Sequence, residues 1–100
     1  MRGESLFGDE RRCLVCGTTR DLHRHHVYPG AGRREVSERE GCWVYLCGPH
    51  HNMSDRGVHL DRGFDRWLRA ECQSRWEARE GLSGEAAHDE FRRLFGASYL

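Results

Sequence analysis

The clearest periodic pattern of apolar residues lies in the last third of the chain. From Phe64 to Trp76, apolar side chains recur at steps of three and four residues, and arginines fill much of the remainder. This spacing is typical of an amphipathic helix that packs one face on a core. We expect Gly81 to end this helix, Ser83 to cap a last helix, and Gly96 to stop it. The side chains predicted to face inward are Phe64, Trp67, Leu68, Cys72, Trp76, Phe91, Leu94 and Phe95.

The first half of the chain has the pattern of short strands. Residues 22–27 and 43–46 are rich in β-forming side chains and predict two strands. Residues 31–41 between them are polar and contain glycine, so we expect a loop. Pro49 suits the first turn of a helix that begins just after the second strand.

These elements predict one small α+β domain. Residues 1–10 have little apolar pattern and are expected to be a loosely held, flexible arm. Residues 11–60 would form a core of a two-stranded hairpin and a helix, and residues 61–100 a helical extension that packs on the core. A chain of 100 residues with 32% charged residues and a mean hydropathy of −0.85 buries little apolar surface. We therefore expect a covalent or metal staple.

Five cysteines and seven histidines supply the material for such a staple. No stretch has the apolar length of a signal peptide or a membrane span, so we expect a cytoplasmic protein with no membrane contact. Cysteines at close spacing in a reducing compartment are more often metal ligands than disulfides. The composition thus favours metal. The formal net charge of zero supplies no overall basic field that would attract DNA.

Two paired half-sites predict a structural zinc ion. Cys13-x2-Cys16 and Cys47-x2-His50 supply the four sulfur and nitrogen ligands that tetrahedral zinc requires. One pair on a tight turn and one at a helix start predict a treble-clef arrangement. His51 is an alternative fourth ligand, but the two-residue gap favours His50. The remaining cysteines, Cys42 and Cys72, are expected to be buried in the core.

A second group of histidines lies between and just after these half-sites. The segment Arg24-His25-His26-Val27-Tyr28-Pro29-Gly30 ends the first strand, and His51-Asn52 follows the second half-site. Here the sequence resembles the HNH (His-Me finger) nucleases, particularly the small zinc-containing proteins that phages and prophages encode. The resemblance covers residues 11–60, about half of the chain. Its elements are Cys13-x2-Cys16, His25-His26-Val27-x-Pro29 and Leu46-Cys47-x2-His50-His51-Asn52. In addition, Gly57-Val58-His59 and the ending Phe95-Gly96-x-x-Tyr99-Leu100 resemble the phage-encoded subgroup.

The resemblance implies a catalytic role for three histidines. His25 would bind a divalent ion, His26 would be the general base and His51 a second ligand of that ion. This division agrees with strand geometry, because adjacent strand residues point to opposite faces. For the third ligand we prefer His59, and Asp55 stays an alternative. His23 shares a strand face with His25 and is another candidate participant, whereas His88 is expected to be an ordinary surface residue.

The sequence departs from the family pattern at two places. Many family members have aspartate where this chain has His25. The family's middle asparagine, which helps to fix the base, is missing, because Gly41 and Cys42 stand near its expected position. Another group must therefore orient His26.

The implied activity is metal-dependent hydrolysis of DNA phosphodiester bonds, leaving 5′-phosphate and 3′-hydroxyl ends. The imidazole-rich ligand set favours manganese or nickel, or zinc, over magnesium. Arg24, Arg33 and Arg34 flank the site and are candidate phosphate contacts. The expected partners are DNA and, as a further candidate, a phage packaging or recombination protein, with no nucleotide cofactor. The main rival is a non-catalytic zinc-binding treble-clef module that contacts DNA or a phage or host protein.

Overall fold

The computed structural model describes residues 4–8, 10–30, 32–51 and 57–100. Within them the chain is a small α+β protein with one two-stranded antiparallel sheet and helices, as the sequence predicted. No described helix has both the length and the apolar character needed to cross a membrane. The elements are β1 (Leu22–His26), α1 (Arg33–Glu40), β2 (Trp43–Cys47), α2 (Gly48–His51), α3 (Arg62–Arg79) and α4 (Gly84–Phe95).

The sheet places the histidines of β1 opposite buried residues of β2. His25 pairs with Val44 and His26 with Trp43 in an antiparallel register. The two predicted strands are confirmed, although β1 ends one residue earlier and β2 one residue later than expected. Arg24 is exposed and His25 is buried, because successive side chains of a strand point to opposite faces.

The segment between the strands is a helix, so the prediction of a loop over residues 31–41 is wrong. Helix α1 spans Arg33–Glu40, between Gly32 and Gly41, which both adopt a φ of 79°. It lacks a strong apolar face, which is why hydrophobic periodicity did not reveal it. Val36 packs against the core, and polar contacts add to this: Trp76 Nε1 donates to Glu40 Oε1 at 3.0 Å.

The two C-terminal helices form most of the core with the sheet. Asp61 caps α3 by accepting from the backbone N–H of Phe64, and Gly96 ends α4 with a φ of 84°. The predicted inward face is confirmed for Leu68, Cys72, Trp76, Phe91 and Phe95, which are all buried, whereas Leu94 and Phe64 are half-buried.

Trp67 is the exception to the predicted inward face. Its exposed fraction is 53%, so its placement in the core is wrong. The line Leu68, Cys72 and Trp76 repeats every four residues and takes the inward position. Trp67 precedes that line by one residue, about 100° around the helix, and therefore faces away from the core.

The N-terminal segment 4–8, which we expected to be part of a loose arm, lies against the core. Ser5 is buried, and its Oγ donates to the backbone oxygen of Trp43 at 2.5 Å. Leu6 N donates to Gly41 O at 2.9 Å, and Arg75 donates to Leu6 O at 3.2 Å. Hydrogen bonds hold this segment, together with Leu6 and Phe7, which pack against the core.

The five cysteines, all within the described residues, form no disulfide. Cys42 and Cys72 are fully buried in the core, as predicted. A hydrogen bond between their side chains, together with burial, raises the pKa of Cys42. Cys42 is therefore a packed, protonated thiol in contact with Cys72.

Candidate functional site

The four residues of the predicted zinc site lie together. We call Cys13, Cys16, Cys47 and His50 the Cys/His cluster, and one ligand atom from each lies within 4.8 Å of all the others. The first two come from a tight turn in which Gly17 N donates to Cys13 O at 2.9 Å. The last two come from the end of β2 and from α2. This arrangement is compatible with a structural metal site.

The spacing within the Cys/His cluster fits a tetrahedral ion. Zinc–ligand bonds of normal length require sulfur atoms about 3.8 Å apart and sulfur and nitrogen about 3.6 Å apart. The sulfur atoms of Cys16 and Cys47 are 3.8 Å apart. The Nδ1 atom of His50 lies 3.7 Å from Cys13 Sγ and 3.1 Å from Cys47 Sγ. The residues present therefore suit a zinc-like ion.

The thiols of the Cys/His cluster differ in their affinity for protons. Burial opposes ionisation of Cys13, but N–H groups of Cys47, Cys16 and Val15 outweigh it and lower the pKa of Cys13 to about 6. Burial raises the pKa of Cys47 to about 11, and the neighbouring Cys13 and Cys16 contribute to this rise. Three thiols this close are stable as thiolates only beside a positive charge.

A second group of potential ligands consists of three histidines. We call His25 of β1, His51 of α2 and His59 the histidine trio, and their ligand atoms also lie within 4.8 Å of one another. The ring centroids of His51 and His59 are 4.6 Å apart. The segment that carries His59 is held to α2 because His59 N donates to His51 O at 3.2 Å. Asp55, the alternative third ligand, and Asn52 lie outside the described residues.

His25 is the most informative member of the histidine trio. Its exposed fraction is 4%, and its Nε2 is the one buried side-chain nitrogen or oxygen among the described residues without a hydrogen-bond partner. The rings of His51 and His59 lie 5.3 Å and 5.2 Å from the His25 ring, centroid to centroid. A buried polar atom without a partner is costly, so it calls for a ligand.

The electrostatics of the histidine trio keep the rings of His25 and His51 neutral. Burial, followed by the charges of His51 and His59, lowers the pKa of His25 to about 3. Burial, followed by the charges of His59 and His23, lowers the pKa of His51 to about 4. Both rings therefore offer a lone pair at neutral pH, which metal binding requires.

His26 lies on the opposite face of β1, and a residue that the sequence analysis missed orients it. Its Nε2 lies 2.9 Å from Glu38 Oε1, and Glu38 belongs to α1. Glu38 also accepts from Arg24 NH1 at 3.1 Å. Because residues 31–41 were predicted to be a loop, no carboxylate was expected beside His26. In the sequence, the polar segment between the two predicted strands was the only sign of this contact.

The three arginines predicted as DNA contacts lie in different environments. Arg24 stacks over the Trp43 ring at 3.6 Å as well as pairing with Glu38. Arg33 donates to the backbone oxygen of Leu94 at 3.3 Å, which ties it to α4. Arg34 is exposed.

One cavity joins the two histidine environments. It has a volume of about 300 Å³ and opens beside β1. Its lining residues are Arg24, His25, His26, Pro29, Arg34, His51 and His59. A phosphate group in this cavity would meet the proposed base and the histidine trio together.

His88 was expected to be an ordinary surface residue, but it contacts a buried carboxylate. Its Nδ1 lies 2.8 Å from Glu77 Oε2, and Gln73 Nε2 donates to the same oxygen at 2.8 Å. Gln73 and Glu77 are buried. His88 therefore helps to satisfy a buried carboxylate between α3 and α4.

Comparisons of the chain with protein-family models, curated proteins and solved structures find no match.

Proposed function

We propose that this protein is a metal-dependent DNA endonuclease of the HNH type, with one structural zinc and one catalytic divalent ion at the histidine trio. The unpartnered buried Nε2 of His25 beside His51 and His59 is the observation that carries the proposal. A structural histidine at this depth would have its nitrogen satisfied by the protein. A ligand position explains why this one does not.

The Cys/His cluster supports the structural part of the proposal. A thiol-rich set of four suits zinc better than any hard cation. Two of its residues lie on a turn before β1 and two lie where β2 leads into α2, and this arrangement agrees with a treble-clef core. In this interpretation zinc supplies the staple that the small apolar core requires.

The chain's own residues then divide the work of hydrolysis. His26 donates Nε2–H to Glu38, which leaves the Nδ1 lone pair to accept a proton from the attacking water. The ionised Glu38 stabilises the imidazolium that forms. The water oxygen attacks phosphorus as the bond from phosphorus to the 3′ oxygen breaks. The departing 3′ oxygen takes a proton from solvent water, which leaves a 5′-phosphate and a 3′-hydroxyl. A divalent ion bound at the histidine trio would supply positive charge to the phosphate and the departing oxygen.

Exposed arginines supply candidate contacts for the phosphate backbone. Arg34 lines the cavity beside His26. A groove of about 610 Å³ along α3 contains Arg62 and Arg66, and neither has a carboxylate partner among the described residues. Arginine forks suit bidentate contacts to phosphate. Local placement, rather than net charge, would therefore hold DNA.

The decisive test is cleavage of supercoiled plasmid in manganese, nickel, zinc or magnesium. His26→Ala should reduce the rate by about 10²- to 10⁴-fold, because the general base is lost. His88→Gln is the matched control, since it changes a histidine on α4 and should cleave like the wild type. Zinc content must be equal in all three proteins. A wild type without activity in every metal, or a fully active His26→Ala protein, would sink the proposal.

The rival function is a zinc-binding module that contacts DNA or a protein without cleaving. The net charge of zero, and the engagement of both Arg24 and His26 by Glu38, favour it. A wild type that binds DNA but cleaves none would establish this alternative. Rates in magnesium equal to those in manganese or nickel would contradict an all-imidazole ligand set.

A further inference from the structure

A chain of hydrogen-bonding groups leads away from the histidine trio through His51. The two ring nitrogens of His51 face different neighbours. Its Nε2 lies 3.0 Å from Nε2 of His59, within the trio. Its Nδ1 lies 2.9 Å from Nδ1 of His23, and Nε2 of His23 lies 3.3 Å from Asp21 Oδ1. The order is therefore Asp21, His23, His51 and then the trio.

The chemistry of these groups sets the direction of the hydrogen bonds. The Asp21 carboxylate can only accept, so His23 donates from Nε2. A neutral His23 then has its lone pair on Nδ1, where it accepts from Nδ1–H of His51. The lone pair of His51 is consequently on Nε2, which faces His59. The reverse direction would put a proton on that nitrogen and remove a ligand from the trio.

The backbone holds this chain in place at its outer end. Asp21 has a φ of 51°, a left-handed conformation that aspartate tolerates better than most residues. Its backbone oxygen accepts from Gly48 N, the first residue of α2, at 3.0 Å. The start of β1 is thus tied to α2 by a backbone bond and by the contact between His23 and His51.

We propose that Asp21 and His23 are positioning residues that fix the tautomer and the ring orientation of His51 for binding a divalent ion. This inference rests on the proposed metal site of the histidine trio. An imidazole that donates its second N–H to an acceptor is a better oriented and more basic ligand, and losing such an acceptor costs about 10- to 100-fold in metal affinity. Here the acceptor is a second imidazole, which a carboxylate orients in turn.

The test is calorimetric titration of Ni²⁺ into protein that already contains one equivalent of zinc. His23→Ala should weaken Ni²⁺ binding by about 10- to 100-fold. His23→Gln should recover part of this loss, because its side-chain oxygen can accept from His51. Asp21→Asn keeps the left-handed turn and should give a smaller loss. His26→Ala is the matched control, since it should lower cleavage by about 10²- to 10⁴-fold and keep Ni²⁺ affinity.

Activity at saturating Ni²⁺ separates positioning from chemistry. The His23→Ala protein should approach the wild-type rate there, and its unfolding transition without added Ni²⁺ should match that of the wild type. Equal Ni²⁺ affinity of wild type and His23→Ala, or a His23→Gln protein as weak as His23→Ala, would overturn the positioning role alone. A wild type that binds no ion beyond zinc would overturn both proposals. Ni²⁺ binding that depends on His23, without any DNA cleavage, would support this inference and refute the nuclease.

Discussion

Acid should destabilise the folded protein through His25. In the unfolded chain its pKa is the ordinary 6.5, and in the folded chain burial lowers it to about 3. Above 6.5 neither state binds the proton, so His25 has no effect on stability. As the pH falls from 6.5 towards 3, the unfolded state takes up a proton that the folded state excludes. The free energy of unfolding therefore falls with pH across this window.

The size of the effect follows from the two pKa values. Each pH unit below the unfolded pKa lowers the free energy of unfolding by about 1.4 kcal/mol. At about pH 5, His25 therefore lowers it by about 2 kcal/mol. His25 has an exposed fraction of 4%, so solvent screens this effect little. His51, with a pKa lowered to about 4, acts in the same direction. Its partial exposure makes its contribution smaller.

The assay compares urea unfolding of the wild type and a His25→Gln variant, each with one equivalent of zinc, at about pH 7.5 and pH 5. Acid also weakens zinc–thiolate binding, but this loss is common to both proteins and cancels in the difference. The wild type should lose about 2 kcal/mol more than the variant, which corresponds to a difference of about 1–2 M urea in the midpoint shift. Equal losses would mean that the imidazole is not buried in a neutral state.

Three further results are expected. His26→Ala is expected to lower cleavage by about 10²- to 10⁴-fold. Glu38→Ala should lower it by a smaller factor, because the base survives without its orienting carboxylate. Single-turnover rates check this. Cys16→Ser should lower zinc content and, with it, Ni²⁺ affinity at the histidine trio, as metal analysis and calorimetry would show. Arg66→Ala should weaken DNA binding and reduce the salt slope by about one, in filter binding without divalent metal. Arg92→Ala, whose guanidinium pairs with Asp89, should leave that slope unchanged.

The parts of the site that a local pattern encodes were predictable from the sequence. Cys13-x2-Cys16 and Cys47-x2-His50 each place two ligands on one turn, so spacing alone indicated a shared ion. The alternation of a strand likewise predicted that His25 and His26 face opposite ways, and His25 is buried while His26 contacts α1. In both cases the backbone geometry of a few consecutive residues determines where the side chains point.

The parts that depend on contacts distant in sequence were not predictable. Helix α1 has little apolar periodicity, and its partners for docking, such as Trp76, lie far along the chain. Because this helix was not predicted, Glu38 fell in a predicted loop and received no role. The prediction that Trp67 faces inward was wrong for a related reason. A pattern of three- and four-residue steps also includes side chains at the border of the apolar face. Only the packing of α3 decides which of them face solvent.

The turn from β2 into α2 couples the two candidate metal sites. Cys47 and His50 belong to the Cys/His cluster, whereas His51 belongs to the histidine trio. Consecutive residues on a helix point about 100° apart, so a single turn can present one imidazole to each site. Val58 and His59 strengthen this link, because Val58 N donates to His50 O at 2.9 Å and His59 N donates to His51 O. An ion in the Cys/His cluster would therefore fix the backbone that orients His51 and His59. Loss of that ion should weaken metal binding at the histidine trio without any change in the trio's own residues.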